Sequence, residues 1–471
     1  MKKNYFIIFL LLFIVRTHAQ SALASSKDIS GIWLGKLKVQ TMELRIVFHV
    51  KTDSAGTMRA TMDSPDQGAK GILVDKVTVN QDSILFAINM VGGGFAGAMQ
   101  AGDSVIIGTW RQGGLALPLD LHRVMEVQES RRSQNPKPPF PYDEEEVSYQ
   151  NKEAGITLAG TFTKPKSGGS FPALLLITGS GPQNRDEELL GHKPFLILAD
   201  YLTRRGVAVL RVDDRGIGRS TGKFSGATTQ DFAGDVRAGI EYLKTRRDVN
   251  AKKIGLLGHS EGGIIAPMVA AESKDVAFIV MMAGTSLPGD QILCLQDSLI
   301  SLAMGQSTVQ VQKDLSVKRA MYALIRNETD TTKLRQGLVT ILRESMPTDS
   351  TTGGAANKAA VNAALAQLMS PWFRFFLTYD PAPALRKLTC PVLALNGSKD
   401  LQVPAQEDLE GMRRAFNASG NKKATAKLLP GLNHLFQKAE TGSPSEYAKI
   451  DETINPEALQ VIGDWIADVT M

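Results

Sequence analysis

The chain has 471 residues, 43% of them hydrophobic and 21% charged, with a formal charge of +5. That length exceeds the roughly 100–200 residues of one domain, and the balance is that of a folded protein, which excludes general disorder. No basic run is long enough to track a nucleic acid, and the two cysteines, Cys294 and Cys390, exclude a disulfide framework and a cysteine-based metal site.

Lys2 and Lys3 precede an apolar run over residues 5–15, followed by Thr17, His18 and Ala19. This order predicts a secretory signal peptide, residues 1–19, because the run is short for a bilayer span and ends in small residues. Loss of Lys2, Lys3 and Arg16 lowers the formal charge from +5 to +2. No cysteine stands directly after the cleavage site, so the mature chain is expected to be exported, periplasmic or secreted, without a stable membrane anchor.

Residues 20–126 predict a small all-β domain of short strands, a sandwich or barrel. Leu44, Ile46 and Phe48 alternate with Glu43, Arg45 and His49, the pattern of a half-buried antiparallel strand. No catalytic constellation falls here, and His49 and His122 read as ordinary strand residues. Residues 127–146 turn polar, then proline-rich at Pro136, Pro138, Pro139 and Pro141, then acidic from Asp143 to Glu146, which predicts a linker.

From 147 to 471 apolar runs at 173–177, 207–212, 254–257, 278–282 and 392–395 alternate with helical stretches. Such alternation predicts an α/β fold with a doubly wound, mostly parallel sheet. The interval after 282 is too long for one crossover. It carries helical patterns, among them 313–325 and 333–342, and is split by a Ser/Thr/Gly loop at 350–354, which predicts a helical cap over about 288–388. Near the end, Asn455 and Pro456 suit the first positions of a helix with Leu459, Ile462, Trp465 and Ile466 on its apolar face.

Within this alternation Gly258-His259-Ser260-Glu261-Gly262 follows the strand 254–257 and precedes a small-residue helix. A serine hydroxyl leaves a sheet only through a sharp strand-to-helix turn, so this pattern in this context predicts a nucleophile elbow with Ser260 at its tip. Serine needs a base, and the base needs an acid to hold its tautomer. Among the six histidines His18 leaves with the leader, His259 lies inside the elbow and His192 precedes the second strand. His434, in a loop after the apolar segment 426–429, fits the chain order serine, acid, histidine. Asp400 follows the strand 392–396 in a turn and is the expected acid, whereas Glu407 and Asp408 fall in the next helix and are expected to point away. The backbone amide of Glu261 is one expected oxyanion donor and that of Ser180, in Thr178-Gly179-Ser180-Gly181-Pro182, the other, with Gly181 as competitor.

Five ordered motifs now stand in line: this glycine loop, Asp213-Asp214-Arg215-Gly216-Ile217-Gly218-Arg219-Ser220, the elbow, Asn396-Gly397-Ser398-Lys399-Asp400 with Gln402-Val403-Pro404, and His434. Over roughly 172–434 the chain resembles the bacterial α/β-hydrolases similar to EstD-type esterases and the wider serine aminopeptidase-like hydrolases. The resemblance implies a backbone oxyanion donor in the first loop, here on Ser180, and a structural turn at Asp214-Arg215-Gly216. The loop departs from the commoner histidine-glycine form by carrying Thr178 before Gly179.

The expected reaction is hydrolysis of a small-molecule ester by a carboxylesterase with an acyl-enzyme on Ser260, needing neither cofactor nor metal. A serine exopeptidase is the alternative, since the same triad serves amides, and it would need acids placed to hold a substrate ammonium. Glu328 and Asp330 are merely nearby loop acids. A glycan-binding surface protein with a relic hydrolase domain is the non-enzyme alternative, which the complete triad disfavours. Trp372, Phe373, Phe375 and Phe376 fit either an apolar pocket wall or core, and core is preferred.

Overall fold

The computed structural model describes residues 27–39, 42–54, 56–67, 69–112, 115–127, 132–345 and 353–471. The leader expected at 1–19 lies outside them, as do residues 350–352 of the expected loop.

Strands β1 (Gly31–Val39), β2 (Met42–Thr52), β3 (Met58–Ser64), β4 (Ala69–Leu73), β5 (Lys76–Asn80), β6 (Ser83–Ile88), β7 (Gly93–Met99), β8 (Val105–Gln112) and β9 (Leu115–Val124) form one antiparallel sheet. Its order is β4-β3-β2-β1-β9-β8-β7-β6-β5. Leu44, Ile46, Phe48 and Val50 of β2 are buried, and Ile46, Phe48 and Val50 share a core with Trp33, Phe86 and Phe95. Phe48 stacks on Phe86 of β6 at 4.4 Å, although four strands lie between them in the sheet. The sheet therefore curls around its own core, rather than pairing as two stacked sheets.

The linker expected over 127–146 ends earlier, because the acidic run belongs to β10 (Tyr142–Asn151), antiparallel to β11 (Ile156–Pro165). Acidic side chains are tolerated there because β10 is an edge strand. Glu145 meets Arg246 at 2.9 Å and Glu146 meets Arg185 at 2.8 Å. The stretch before it is fastened down: the Arg132 guanidinium donates to the carbonyls of Leu190, Ala448 and Ile450, and the Gln134 amide to that of Ile454.

The second sheet continues with β12 (Phe171–Ile177), β13 (Ala208–Val212), β14 (Val249–His259), β15 (Phe278–Met282), β16 (Val392–Gly397) and β17 (Ala424–Leu429). The order β10-β11-β13-β12-β14-β15-β16-β17, parallel from β13 onward, is that of the α/β-hydrolase fold. Helices cover both faces, as a parallel sheet requires. Alternate residues of β12 serve opposite cores: Ala173 and Leu175 face α2 (Thr229–Thr245) and α3 (Gly262–Ala270), whereas Leu174 and Leu176 face α1 (Pro194–Arg204). Between β15 and β16 lie α4 (Gly289–Ala303), α5 (Thr308–Asn327), α6 (Thr331–Ser345), α7 (Gly353–Leu368), α8 (Pro371–Thr378) and α9 (Ala382–Leu385). The cap has a core of its own, built from Leu334, Leu338, Leu342, Leu365 and Phe373. After β16 come α10 (Ala405–Ser419) and α11 (Pro456–Thr470), the latter capped by the Asn455 side chain.

Candidate active site

Ser260 sits between β14 and α3 with φ at +53°, a left-handed conformation that a non-glycine residue holds only where its surroundings enforce it. The enforcement is visible. The Ser260 amide donates to the Met282 carbonyl at 2.9 Å, and a Cβ on Gly258 would lie 1.9 Å from the Gly262 carbonyl oxygen. Only glycine on both sides lets strand and helix approach so closely, and the hydroxyl is left at the carboxyl edge of the sheet.

The same edge carries the loops after β16 and β17. Asp400, 4% exposed, accepts the amides of Gln402 and Val403 on Oδ1, both at 2.8 Å, and meets His434 Nδ1 with Oδ2 at 2.9 Å. That geometry places the Nδ1 proton towards Asp400 and leaves Nε2 as the nitrogen with a free lone pair. His434 is held at the elbow from behind: its carbonyl lies 3.0 Å from His259 Nε2, and the two rings are 4.9 Å apart.

The loop after β12 lies beside the elbow because β12 and β14 are sheet neighbours. A Cβ on Gly179 would come within 3.3 Å of Ser260 Cβ. The Gly179 amide is engaged, donating to Glu187 Oε1 at 2.7 Å, which leaves Ser180 and Gly181 as the amides free to face an oxyanion with that of Glu261. Glu187 is buried and also lies 3.0 Å from His259 Nδ1. Sequence reasoning missed Glu187, which stands in an irregular loop with no periodicity, and passed over His259 as part of the elbow motif.

Two further acids are buried at this end of the sheet. The Glu261 carboxylate accepts the Thr229 hydroxyl at 2.7 Å and the Trp372 indole N–H at 2.8 Å, a bond from cap to elbow. Burial raises its pKa against those two hydrogen bonds. Asp214 accepts the Thr178 hydroxyl and the Gln183 amide, and burial, reinforced by the nearby Glu261 and Glu187 charges, pushes it up to about 8. Both acids line a narrow pocket with Gly179, Gly181, Phe224 and Phe232. Next to Asp214, Arg215 pairs with Asp235 at 2.7 Å and Asp213 with Arg185 at 2.7 Å, so this turn is a structural knot.

One expectation is corrected. Asp408 does not point away: it is fully buried and accepts the Thr285 hydroxyl at 2.6 Å and the Ser286 amide at 2.7 Å. It lies on the inward stripe of α10 with Ala405, Leu409 and Met412, and burial raises it to about 7. Glu407 is exposed on the other face. In the cap Glu328 accepts the Asp330 amide, and Asp330 accepts those of Thr332 and Lys333. Phe373 is core, whereas Trp372 stacks on Phe376 at 5.3 Å and reaches the elbow. His192 is buried against Thr453 and the Tyr447 carbonyl, and burial depresses it to about 4. Among the described residues no group of histidine, cysteine and carboxylate side chains could hold a metal ion, and no helix is long and apolar enough to cross a membrane.

The chain is similar to several known proteins. A family model described as serine aminopeptidase, S33, matches residues 194–344, a stretch that includes Ser260. Esterase EstD of Thermotoga maritima is 27% identical over 321 residues, 68% of this chain and 68% of its own. The uncharacterized protein YfhR of Escherichia coli K12 is 30% identical over 125 residues, 26% of this chain and 41% of its own. Among solved structures, an esterase of Pyrococcus furiosus superposes with a TM-score of 0.42 at 14% identity, covering 70% of this chain and 92% of that one.

Proposed function

We propose that this chain, an α/β-hydrolase similar to EstD and to the serine aminopeptidase-like hydrolases, is a carboxylesterase that works through Ser260, His434 and Asp400. In this reading Ser260 attacks the ester carbonyl while His434 Nε2 takes its proton, and the charge on the carbonyl oxygen is met by the amides of Glu261 and Ser180. His434 then returns the proton to the leaving alcohol, and water repeats the sequence on the acyl-enzyme. Asp400, held by two backbone amides, keeps the ring oriented through Nδ1.

The observation that carries the ester reading concerns the buried acids. An exopeptidase needs a carboxylate available for a substrate ammonium, and here each buried acid near the elbow already has two polar partners within the protein. Glu187 takes Gly179 and His259, Asp214 takes Thr178 and Gln183, and Glu261 takes Thr229 and Trp372. The exopeptidase reading keeps one point in its favour, the nearness of Glu261 to the nucleophile within a stretch matched by the serine aminopeptidase model. Parallel assay of short aryl esters and of aminoacyl and prolyl amides separates the two. Higher kcat/KM on the esters, abolished in Ser260→Ala, supports the carboxylesterase; higher kcat/KM on an amide overturns it. Export is part of the same proposal, supported by the order of charges, apolar run and small residues in 1–19.

A further inference from the structure

His259 Nδ1 faces the Glu187 carboxylate at 3.0 Å and Nε2 faces the His434 carbonyl at 3.0 Å. Both partners accept, so the ring satisfies both only with a proton on each nitrogen, and the Glu187 carboxylate balances the resulting charge. The same Glu187 oxygen receives the Gly179 amide at 2.7 Å. One buried pair thus ties together the loop of the oxyanion donors, the residue before the nucleophile and the main chain of the base.

We propose that Glu187 and His259 form a buried positioning pair for acyl transfer, setting the oxyanion loop and the His434 backbone relative to Ser260 without touching substrate. The proposal rests on the esterase reading of Ser260 and His434. Burial alone would drive His259 towards the neutral form, yet the Glu187 charge and the bonds to Glu187 and to the His434 carbonyl raise its pKa, with Asp400 adding to them. The ionisable groups facing the ring are therefore Glu187, Asp400 and His434 itself. A buried ion pair is a poor way to gain stability, because desolvation offsets most of the attraction. Its geometric effect is larger: displacement of a reacting group by about 1 Å costs on the order of 100-fold in rate.

Glu187→Gln is the informative change because a single oxygen serves both arms. If the amide oxygen stays there, Gly179 is kept but the imidazolium loses its counter-charge; if the NH2 group takes its place, Gly179 loses its acceptor. His259→Gln breaks the pair from the other side. Each folded variant is expected to lose about 10- to 100-fold in kcat on a short aryl ester, with KM within about threefold. A trifluoromethyl ketone, which forms a tetrahedral adduct on the serine, should lose affinity by the same factor, while inhibition by the product carboxylate stays unchanged. The double variant should be no worse than the poorer single one, as for two residues acting as a unit. Retention of kcat within about threefold in a folded variant, additive losses, or a loss confined to KM overturns the pair's role. Should Glu187→Gln fail to fold, His259→Gln decides alone. Ser260→Ala run alongside keeps the readings apart: residual esterase activity there refutes the nucleophile assignment, not the pair.

Discussion

Asp400→Asn tests the base more sharply than removal of His434, because the structure dictates how the amide must turn. Oδ1 of Asp400 accepts two backbone amides, from Gln402 and Val403, and Oδ2 accepts one ring N–H, from His434. An asparagine has one acceptor oxygen. Placing its NH2 against the two backbone donors would leave both buried and unsatisfied, at about 1–3 kcal/mol each, whereas placing it against the ring requires only a change of imidazole tautomer. The amide therefore faces His434, whose Nδ1 must become the acceptor, and the proton moves to Nε2. In that tautomer His434 cannot take the Ser260 proton, and kcat is expected to fall about 10,000-fold. Fold stability should change by no more than about 2 kcal/mol, since the backbone bonds persist. Stopped assays on an aryl ester and a thermal melt measure the two effects. A folded variant retaining more than about a tenth of the parent kcat, against the 10,000-fold loss expected, would refute the assignment of Asp400.

Trp372→Phe keeps the stack on Phe376 but removes the indole N–H that reaches Glu261, so KM should rise about fivefold, equivalent to about 1 kcal/mol, with kcat little changed. Unchanged KM would show that the cap does not depend on this bond. Asp214→Asn should reveal a pH-dependent gain in stability. The Asp214 pKa is raised to about 8, so the stability that its proton confers is complete below the ordinary carboxylate range and is lost as pH rises through about 8. Asparagine stays neutral, and its oxygen can keep the Gln183 amide while its NH2 donates to the Thr178 hydroxyl. The melting temperature of the variant should therefore gain on the parent between about pH 5 and pH 8, and a difference independent of pH would contradict the buried, raised carboxyl.

How much of this site the sequence displays depends on how local the physics is. Gly258 to Gly262, the turn carrying Asp400 and the loop carrying His434 are legible because each needs special backbone within a few residues of a strand end. The burial of Asp408 was not expected, although its cause is local: Ala405, Asp408, Leu409 and Met412 follow helical spacing, and the polar residue on that stripe is buried with them. The acidic run 143–146 has linker composition but strand geometry, since an edge strand faced by Arg185 and Arg246 accommodates it. Glu187 and the indole of Trp372 are different in kind. Their partners lie 72 and 111 residues away, and neither loop nor cap carries a periodicity that announces the contact.

The contact between the two sheets belongs to that second kind and leads back to the catalytic end. Leu44 of β2, 6% exposed, packs with Leu190 and Tyr447, and the Leu190 amide donates to the Asp66 carbonyl at 2.5 Å. Leu190 lies in the same loop as Glu187, and both hold positive φ, +54° and +51°. Asp66 is itself set by Arg45, whose backbone amide donates to it at 2.7 Å and whose guanidinium pairs with it at 2.5 Å. The amino-terminal sheet thus buttresses the loop on which Glu187 sits, and if Glu187 acts with His259 as proposed, loosening this contact is expected to lower kcat. Leu44→Ala should open a cavity at this contact, costing about 2–4 kcal/mol at the docking site while the curled core around Phe48 and Phe86 stays intact. Loosening of the 187–193 loop should then lower kcat on aryl esters several-fold and hasten proteolysis near that loop. If Leu44→Ala weakens the contact by proteolysis yet leaves kcat unchanged, the sheet is a passenger and the buttress is refuted.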